Sequence, residues 1–593
     1  MSVPERVTAC VSELHTHTHT HTHTHTILLS HKYNEINDRW SCENPQTLQR
    51  DLKDTLGFKG WVMSDWGATH SPSMNAGLDQ EMPGSRYMGD ALAALVKSGE
   101  VTMKKVNDSI LRILTPMFQM KLFDVLNNNT IDNNVTSAEH NHIARELATR
   151  ATVLLQNKDH LLPLKANSPL KIAVIGKQGL EPIVHGGGSG QVIPYYVSKP
   201  IDALRVRLGL APMPGPPAPG PNNCSDKHYD VGFDYRNTDG QTSAHAKTVD
   251  ECCQLCAKRR TDKACNYFTF VQSDNTCWMK NTNHNRIADA AAISGGCHSQ
   301  PSPPPPPPPN CNQAGDRCVY YSDGSDHTEA AKLAASVDVA IVFAKTFSSE
   351  GGDRASLRLD DNVDALIAAV AAAAPRKTVV AMVQPGAVLT PWRADVSAIV
   401  ASFMPGQEYG NALADVLFGD VGPSARLPVT FPARENQVNF TTNQWPGVNK
   451  ESTYSEKLEV GYRYYDAHDE TPAFPFGHGL SYSEFTYSGL QATQTTVSFT
   501  LRNTGKVKAS EVPQLYLGFP PSAGEPPKQL KGFKQVPLAV GASAKVTFQL
   551  TARDISIWDV SSHNWAVQKG MFQVMVGSSS RDIRLSGHFT AQL

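Results

Sequence analysis

The feature that most constrains this chain is a cluster of cysteines that lies between two proline-rich stretches. Nine of the eleven cysteines fall between Cys224 and Cys318. The flanking stretches, residues 211–223 and 302–310, are predicted to be stiff, extended spacers without a core. Clustered cysteines are typical of a small disulfide-stabilised module in an oxidising compartment. The sequence therefore predicts an inserted module.

The patterns on either side of the cluster belong together. KIAVIG at 171–176 is a short apolar run that ends in glycine, and VDVAIVFA at 337–344 and KTVVAMV at 377–383 are similar to it. Alanine-rich stretches with helical character separate these runs. Strands that alternate with helices predict a parallel α/β layer. We therefore expect one α/β domain that resumes after the insertion.

Two further regions differ from this layer. Residues 27–126 also have an α/β pattern, in which the amphipathic QTLQRDLKDTLG leads into the strand-like FKGWVMSDW. From about residue 485 onward, apolar and polar residues alternate between turns, which is typical of a β-sandwich. The predicted fold class is multidomain, α/β followed by β, with a small disulfide-rich insertion.

Charge and hydropathy exclude two classes of partner. Lys and Arg total 54 against 56 Asp and Glu, and a net charge of −2 gives no basis for binding nucleic acid or an anionic membrane. The longest apolar run, residues 365–374, is far shorter than the roughly 20 residues of a spanning helix. We expect neither nucleic acid nor a membrane as partner.

The amino-terminal residues carry no signal-peptide pattern. Histidine and threonine alternate from His15 to Thr26, and a low-complexity tract without a fold of its own is favoured over a metal-chelating strand. The cysteine cluster nevertheless favours secretion. Sequons for N-glycosylation agree with secretion and lie at Asn107, Asn128, Asn134, Asn223 and Asn439.

Two carboxylates stand where catalytic groups are expected. Asp65 ends the apolar strand of FKGWVMSDW, and catalytic residues lie at the C-terminal ends of barrel strands. A helix-capping role is its alternative. Glu350 follows another buried strand in the glycine-rich SSEGGDR, and its alternative is a solvated carboxylate paired with Arg354. Two carboxylates from two domains that face one cleft suit glycoside hydrolysis.

The remaining motifs favour structural roles. GGGSGQ at 186–191 lacks the last glycine of a nucleophile elbow, and we expect its glycines to let a loop approach sugar or a neighbouring domain closely. The Gly-His-Gly at 477–479 is interpreted as structural, at the entry to the last domain. Cys253 and Cys256 have C-x-x-C spacing, but no second pair of zinc ligands follows, which favours disulfides. No metal and no cofactor are predicted.

Several of these segments together resemble glycoside hydrolase family 3, the β-glucosidase type. YNEINDRWSCENPQTLQRDLKDTLGFKGWVMSDWGATHSPSMNAGLDQEMPG is similar to the family's stretch around its nucleophile. KIAVIG, GGGSGQVIP and SSEGGDR resemble its second domain. MPGQEYGNALADVLFGDVGPSARLPVTFP and YRYYDAHDETPAFPFGHGLSYSEF resemble its later signatures, and the C-terminal region resembles its fibronectin type III-like domain. The resemblance covers residues 31–210 and 313–593.

Carried over by position, the resemblance implies that Asp65 is the nucleophile and Glu350 the general acid/base of a retaining hydrolase. Trp66 matches the aromatic wall of the glucose subsite, and Tyr33, in KYN where the family has SYN, matches another subsite residue. The implied function is the release of terminal β-D-glucosyl residues from a carbohydrate substrate. A β-xylosidase or broader β-glycosidase, and a catalytically inactive glycan- or protein-binding protein, are the alternatives.

The chain departs from the family upstream of Tyr33. The resemblance implies only the C-terminal part of the family's (β/α)8 barrel, and Ser30 stands where the family has Met. The upstream residues that hold the sugar hydroxyls in the family have no counterpart. Because positioning can contribute about 7–11 kcal/mol to catalysis, we expect the chain as written to be poorly soluble and to hydrolyse aryl β-glucosides weakly or not at all.

The insertion has a resemblance of its own. HYDVGFDYRN, ECCQLCAKRRTDKACNYFTF and TCWMK are similar to a PAN/Apple domain. This resemblance implies an outer disulfide between Cys224 and Cys297 and a role in binding a glycan or a protein. The inner cysteines that have the order of that domain are Cys252, Cys256, Cys265 and Cys277.

The expected organisation follows from these assignments. A low-complexity segment (1–26) precedes the C-terminal part of a (β/α)8 barrel (27–130). The remaining parts are a discontinuous α/β sandwich domain (131–210 and 313–435), a proline-rich linker (211–223), the PAN/Apple-like insertion (224–299), a polyproline linker (300–312), a connecting segment (436–484) and the fibronectin type III-like domain (485–593).

Overall fold

The computed structural model of the protein describes residues 29–31, 34–124, 135–213, 230–235, 242–259, 267–271, 275–280, 286–296 and 316–592. Tyr33, the histidine–threonine tract and the stretch at 302–310 lie outside these described residues. The chain divides into two compact units. The first contains residues 1–164, 183–197 and 344–593, and the second contains residues 165–182 and 198–343.

The strands are, in chain order, β1 (Leu29–His31), β2 (Val62–Ser64), β3 (Val153–Asn157), β4 (Leu170–Ile175), β5 (Asp230–Tyr235), β6 (Thr242–His245), β7 (Tyr267–Val271), β8 (Thr276–Lys280), β9 (Arg286–Gly296), β10 (Arg317–Ser322), β11 (Val339–Lys345), β12 (Thr378–Val383), β13 (Ala398–Ala401), β14 (Phe485–Ala492), β15 (Thr496–Asn503), β16 (Ala509–Glu511), β17 (Gln514–Gly518), β18 (Gln529–Phe533), β19 (Val536–Leu538), β20 (Ser543–Gln549), β21 (Ser556–Asp559), β22 (Asn564–Val567), β23 (Gly570–Gly577) and β24 (Ile583–Ala591).

The α-helices are α1 (Asp90–Ser98), α2 (Met103–Gln119), α3 (Ala138–Ala151), α4 (Pro200–Arg207), α5 (Val249–Arg259), α6 (His327–Ala335), α7 (Val363–Ala373), α8 (Tyr409–Leu417) and α9 (Tyr462–Ala467). A wider, π-type helix spans Gln46–Thr55. Short 3-10 turns lie at Ser41–Glu43, Ser73–Ala76, Lys158–His160, Lys177–Gly179, Pro391–Ala394, Pro521–Ala523 and Ala552–Ile555.

The amino-terminal part of the first unit places a short strand after a helix. β2 is buried and pairs in parallel with β1. The amphipathic segment before β2 forms the π-type helix, and the amides of Gln46 and Thr47 donate to Asn44 Oδ1 at its start. This side chain satisfies N–H groups that have no partner within the helix. The two helical segments that follow β2 are α1 and α2.

Three further strands of the first unit belong to the predicted α/β layer. β12 and β13 pair in parallel and are fully buried, and β3 joins β13 in antiparallel orientation. Helices α3 and α8 are linked by Arg145, which donates from Nε and Nη2 to the two carboxylate oxygens of Asp415 at 2.7 and 2.6 Å. Such a bidentate pair fixes orientation as well as distance.

The second unit contains the parallel strands that lie on either side of the cysteine-rich insertion in the sequence. β4 pairs in parallel with β10 on one side and with β11 on the other. β4 precedes the insertion in sequence, whereas both of its neighbours follow it. The prediction that a parallel α/β sheet resumes after the insertion is therefore confirmed. β4 is almost continuously buried, as expected for a parallel strand that is covered on both faces.

The insertion forms an antiparallel sheet of its own within the second unit, in the order β5-β9-β7-β8-β6. Its core contains Phe268, Phe270 and Met279, and a disulfide joins Cys252 of α5 to Cys277 of β8. Cys253, Cys256 and Cys318 are also disulfide-bonded, which removes the two C-x-x-C thiols as zinc ligands. Cys224, Cys265 and Cys297 lie outside the described residues.

The carboxyl-terminal region of the first unit is a β-sandwich, as predicted. One sheet has the order β14-β15-β20 and the other β18-β17-β23-β24, and β16-β19 and β21-β22 form two smaller pairs. The strands contribute alternate apolar side chains to one core, among them Phe499, Leu515 and Phe572. Among the described residues, no helix has both the length and the apolar character needed to cross a membrane.

The Gly-His-Gly segment lies just before this sandwich and makes structural contacts. His478 is half-buried and its Nε2 lies 2.8 Å from the carbonyl oxygen of Leu155. Burial lowers its pKa, so the ring stays neutral near pH 7. Gly477 has a φ of +79°, and a Cβ there would lie 2.1 Å from Gln514 Oε1. These contacts support the structural interpretation of the motif.

Candidate active site

Asp65 lies directly after β2, at the carboxyl end of the strand. Its side chain is half-buried, and Oδ1 accepts a hydrogen bond of 2.8 Å from the Trp66 amide. The Asp65 carbonyl accepts from the Ala68 amide at 3.1 Å, which closes a tight turn. The Trp66 side chain is 51% exposed, so an aromatic surface stands beside the carboxylate.

The turn is held in place by the segment that follows it in the chain. The Ser64 amide donates to the carbonyl of Gln80 at 2.9 Å, and the Met82 amide donates to Ser64 Oγ at 2.8 Å. The Gly67 amide donates to the carbonyl of Met82 at 2.9 Å. Bonds on both sides of Asp65 therefore fix its backbone.

A buried ion pair supports the strand from behind. Lys53 Nζ lies 2.7 Å from both carboxylate oxygens of Asp79, and both side chains are fully buried. Asp79 also accepts from Ser109 Oγ at 2.6 Å and from the Val62 amide at 2.9 Å. Burial lowers the pKa of Lys53, and Asp79 opposes that effect. This network connects β2 to the π-type helix and to α2, and no motif in the sequence indicates it.

A third contact reaches the backbone of Asp65 from residues 40–43. The Cys42 thiol is fully buried and makes a hydrogen bond with the Asp65 backbone. Burial raises its pKa to about 11, so the thiol is protonated at neutral pH. Trp40 stacks on His70 with ring centroids 3.8 Å apart, and the His70 amide donates to Glu43 Oε1 at 2.9 Å. These bonds restrain the turn on its remaining side.

Glu350 follows β11 in an exposed loop whose base is anchored. The Thr346 amide donates to the carbonyl of Val383 at 3.0 Å, and the Phe347 amide donates to Asp360 Oδ2 at 2.9 Å. The Phe347 side chain is 42% exposed. Glu350 thus lies a few residues beyond a fixed strand end, and Phe347 of the same loop is a second exposed aromatic residue.

The glycine-rich segment 186–190 packs directly against this loop. The Gly187 amide donates to the carbonyl of Ser348 at 3.0 Å, and the Glu350 amide donates to the carbonyl of Gly187 at 3.3 Å. Ser189 donates to Glu350 Oε2 from its amide at 2.7 Å and from Oγ at 2.5 Å. The expected close approach by this segment is therefore made to the candidate acid/base itself.

The contact between these two segments requires glycine at position 188. Gly188 has a φ of +87°, and a Cβ would lie 2.3 Å from Glu350 Cβ and 3.0 Å from the Glu350 amide nitrogen. Such a distance is excluded by van der Waals repulsion, and other residues rarely adopt that φ. The glycine therefore allows the two segments to touch.

Arg354, the alternative partner of Glu350, donates from Nη2 to the carbonyl of Ala387 at 3.1 Å. Its Nη1 is buried and has no hydrogen-bond partner in the described part of the chain. Burial lowers the pKa of the guanidinium. The described residues contain no group of three or more His, Cys, Asp or Glu that could hold a metal ion.

Comparison with known proteins identifies the family. Residues 152–482 match the glycosyl hydrolase family 3 C-terminal domain, residues 19–115 match the family 3 N terminal domain, and residues 511–580 match a fibronectin type III-like domain. The chain belongs to glycosyl hydrolase family 3. The first of these matches alone covers more than half of its residues.

Relatives place this family 3 protein with the β-glucosidases. It is 35% identical to the probable β-glucosidase L of Aspergillus terreus, over 94% of this chain and 70% of that protein. It is 32% identical to the probable β-glucosidase G of Emericella nidulans, over 93% of this chain and 66% of that protein. It is therefore a β-glucosidase-like glycoside hydrolase that spans about two thirds of the length of these relatives.

Solved structures agree with this placement. The β-D-glucoside glucohydrolase of Trichoderma reesei matches 95% of this chain, with a TM-score of 0.71 and 29% identity, over 72% of its own length. DesR, a β-glucosidase from Streptomyces venezuelae solved in complex with D-glucose, matches 95% of this chain, with a TM-score of 0.73 and 29% identity, over 76% of its own length.

Proposed function

We propose that this family 3 hydrolase releases terminal β-D-glucose from β-glucosides by a retaining mechanism, with Asp65 as nucleophile and Glu350 as general acid/base. The observation that carries the proposal is the braced turn of Asp65, which fixes a carboxylate at the carboxyl end of a strand beside the exposed ring of Trp66. Aromatic faces of this kind contact the apolar faces of sugar rings.

In the proposed first step, Asp65 attacks the anomeric carbon while Glu350 donates its proton to the glycosidic oxygen. The bond to the aglycone breaks, and glucose remains covalently attached to Asp65. In the second step, Glu350 takes a proton from water, which attacks the same carbon and releases glucose. Retaining enzymes place the two carboxyl groups roughly 5–5.5 Å apart, so the loop of Glu350 has to bring it to about that distance from Asp65.

Trp66 and Tyr33 are proposed as glucose-binding residues. The exposed side chain of Trp66, next to the nucleophile in sequence, supports its role. The proposed role of Tyr33 rests on its position in KYN, which stands where the family has SYN.

The test is turnover of p-nitrophenyl β-glucoside by the full chain and by two variants. Asp65→Asn should abolish turnover, because no covalent intermediate can form. Glu350→Ala should lose activity that added azide restores as β-glucosyl azide, because azide needs no general base. Asp54→Asn, at an exposed carboxylate of the nearby helix, is the matched control and should retain activity. Turnover that persists in Asp65→Asn would refute the assignment.

The alternatives give different outcomes in the same assay. A β-xylosidase would prefer the p-nitrophenyl β-xyloside, and a broader β-glycosidase would accept both substrates at similar kcat/KM. A catalytically inactive glycan-binding protein would bind glucose in calorimetry without turning over any of them. Any slow turnover that depends on Asp65 supports the enzyme.

We further propose that residues 224–299 form a PAN/Apple-like module in a secreted protein. A helix packed on an antiparallel sheet and the Cys252–Cys277 disulfide support this proposal. A glycan or a protein is the ligand expected of such a module. Mass-spectrometric disulfide mapping tests it: a Cys224–Cys297 bridge is expected, and a different pairing of these two cysteines would refute the module.

Residues 27–130 are proposed to be the C-terminal part of a family 3 barrel. The parallel pairing of β1 with β2 and the helices that follow β2 support this, as does the family 3 N terminal domain match over residues 19–115. The boundaries of the α/β sandwich domain (131–210 and 313–435) and of the connecting segment (436–484) are also proposals. The family 3 C-terminal domain match over residues 152–482 supports them.

A further inference from the structure

We propose that Ser189 positions Glu350 and tunes its affinity for protons through two hydrogen bonds to one carboxylate oxygen. This inference rests on the proposed role of Glu350 as general acid/base. It assigns to the glycine-rich segment 186–190 a function that its sequence alone does not indicate.

The first argument is geometric. Both bonds from Ser189, from its amide at 2.7 Å and from Oγ at 2.5 Å, end on Oε2 of Glu350. The backbones of the two segments are also joined, because the Glu350 amide donates to Gly187 and Gly188 leaves no room for a side chain between them. Ser189 therefore approaches Glu350 on a backbone that is itself fixed against the loop of Glu350.

The second argument concerns charge. Glu350 is exposed, so burial does not favour its neutral form. Two donors on one oxygen favour the carboxylate over the carboxylic acid. The two bonds from Ser189 therefore stabilise the ionised form of Glu350, whereas the first catalytic step needs the protonated acid.

The third argument separates the two donors. A hydroxyl group can accept as well as donate, so Ser189 Oγ can accept a hydrogen bond from protonated Glu350. The Ser189 amide can only donate, and it favours the carboxylate alone. The hydroxyl can thus position Glu350 in both steps of the reaction, but its bond to the charged carboxylate is the stronger one, so on balance it favours the ionised form. The amide supports Glu350 in the second step, when it acts as base.

The other ionisable residues in and around the two segments are the same in every variant below. His185 Nδ1 lies 2.7 Å from the carbonyl of Gly186, and Lys345 pairs with Asp360 and Asp361. These unchanged ionisable residues are His185, Tyr195, Tyr196, Lys345, Asp353, Arg354, Asp360, Asp361 and Glu408.

The test is the pH dependence of kcat/KM for p-nitrophenyl β-glucoside. Its alkaline limb reports loss of the proton from Glu350 in the free enzyme. Ser189→Ala removes one donor, so the limb should move to higher pH by on the order of 0.5–1 unit. Ser189→Thr keeps the hydroxyl and should leave the limb near its original position. Ser189 is exposed, so both variants should fold.

Ser349→Ala is the matched control. Ser349 Oγ donates to the backbone carbonyl of Glu350 at 3.2 Å, so this variant removes a hydroxyl next to Glu350 that does not bond its carboxylate. Its alkaline limb should not move. A limb that stays in place in Ser189→Ala, or that moves equally in Ser349→Ala, would overturn the inference.

A second measurement does not depend on turnover. In protein labelled with ¹³C at the glutamate carboxyl carbon, the titration of Glu350 can be assigned by its loss in Glu350→Gln. Its midpoint should rise in Ser189→Ala, and an unchanged midpoint would overturn the inference. If the wild-type chain does not hydrolyse the glucoside while this midpoint rises, the proposed function fails and the role of Ser189 stands.

Discussion

The two proposed catalytic carboxylates are supported in different ways. Asp65 lies in a turn that a buried ion pair, a buried thiol and backbone bonds hold on several sides. Glu350 lies on an exposed loop, and Ser189 of another exposed segment donates two hydrogen bonds to its carboxylate. A nucleophile keeps one charge state and one position until it attacks, whereas an acid/base gains and loses a proton in each cycle. The stiffer support therefore belongs to the nucleophile.

The largest effect should come from removing the ion pair behind Asp65. Asp79→Ala leaves Lys53 buried without its partner, which should cost about 3–5 kcal/mol of stability. Hydrogen exchange measured by mass spectrometry should accelerate in peptides that cover 61–69 and stay unchanged in peptides that cover 346–356. Glu329→Ala, which breaks an exposed pair with Lys332 on α6, is the control and should cost less than about 1 kcal/mol. Unchanged exchange at 61–69 would show that the ion pair does not stabilise the turn.

A smaller effect, on activity rather than stability, should come from Gly188→Ala. The added Cβ forces the glycine-rich segment away from Glu350. A displacement of about 1 Å can cost on the order of 100-fold in rate, so kcat/KM should fall by about 10- to 100-fold. A Cβ at Gly190 meets nothing within 4 Å, so Gly190→Ala is the matched control and should retain activity. If both variants lose the same activity, the contact at Gly188 is not what positions the loop.

A pH effect should distinguish the Asp65 turn further. Burial raises the pKa of Cys42 to about 11, whereas an unfolded thiol titrates near 8.5. The folded state therefore binds the proton more tightly, and its stability falls as pH rises between about 9 and 11. Relative to Cys42→Ala, the free energy of unfolding of the wild-type protein, measured with urea, should fall by about 1–2 kcal/mol across that window. Parallel curves for the two proteins would contradict the burial of this thiol.

The smallest effect should come from the far end of the Glu350 loop. Glu435 Oε1 accepts from Ser356 Oγ at 2.5 Å and from the Leu357 amide at 2.8 Å, and these groups are exposed. Glu435→Gln should therefore cost less than about 1 kcal/mol and change kcat by less than about twofold. Faster exchange confined to peptides covering 351–360 is the expected signature. A large loss of activity would show that this end of the loop also controls Glu350.

The features that the sequence predicted correctly are carried by local patterns. The apolar runs around 171–176 and 337–344 became the parallel strands β4 and β11, and the alternating pattern after residue 485 became a β-sandwich. The apolar run before Asp65 ends at that residue, and in the structure Asp65 directly follows β2. Periodicity and strand ends can be read without knowing which distant residues are neighbours.

The features that the sequence did not reveal depend on distant residues. Ser189 and Glu350 are 161 positions apart, and the sequence GGGSGQ does not indicate which loop this segment contacts. Asp79 begins the polar run Asp79-Gln80-Glu81, so the sequence does not distinguish it from a solvated carboxylate. The hydrophobic pattern of residues 46–55 predicts an amphipathic helix but does not indicate the wider turn of a π-type helix.

The pairing of β4 with β10 also has a consequence for how the chain reaches its native state. Ile172 lies opposite Val319, so nearly 150 residues of chain must close into one loop before these strands can meet. The entropy lost on closing a loop grows only with the logarithm of its length. The insertion therefore adds about 1 kcal/mol to the free-energy cost of bringing β4 and β10 together. Its effect on rate is larger, because contacts between distant residues form slowly. During that delay the apolar edge of β4 is exposed, and a newly made chain has its greatest tendency to aggregate before β10 arrives.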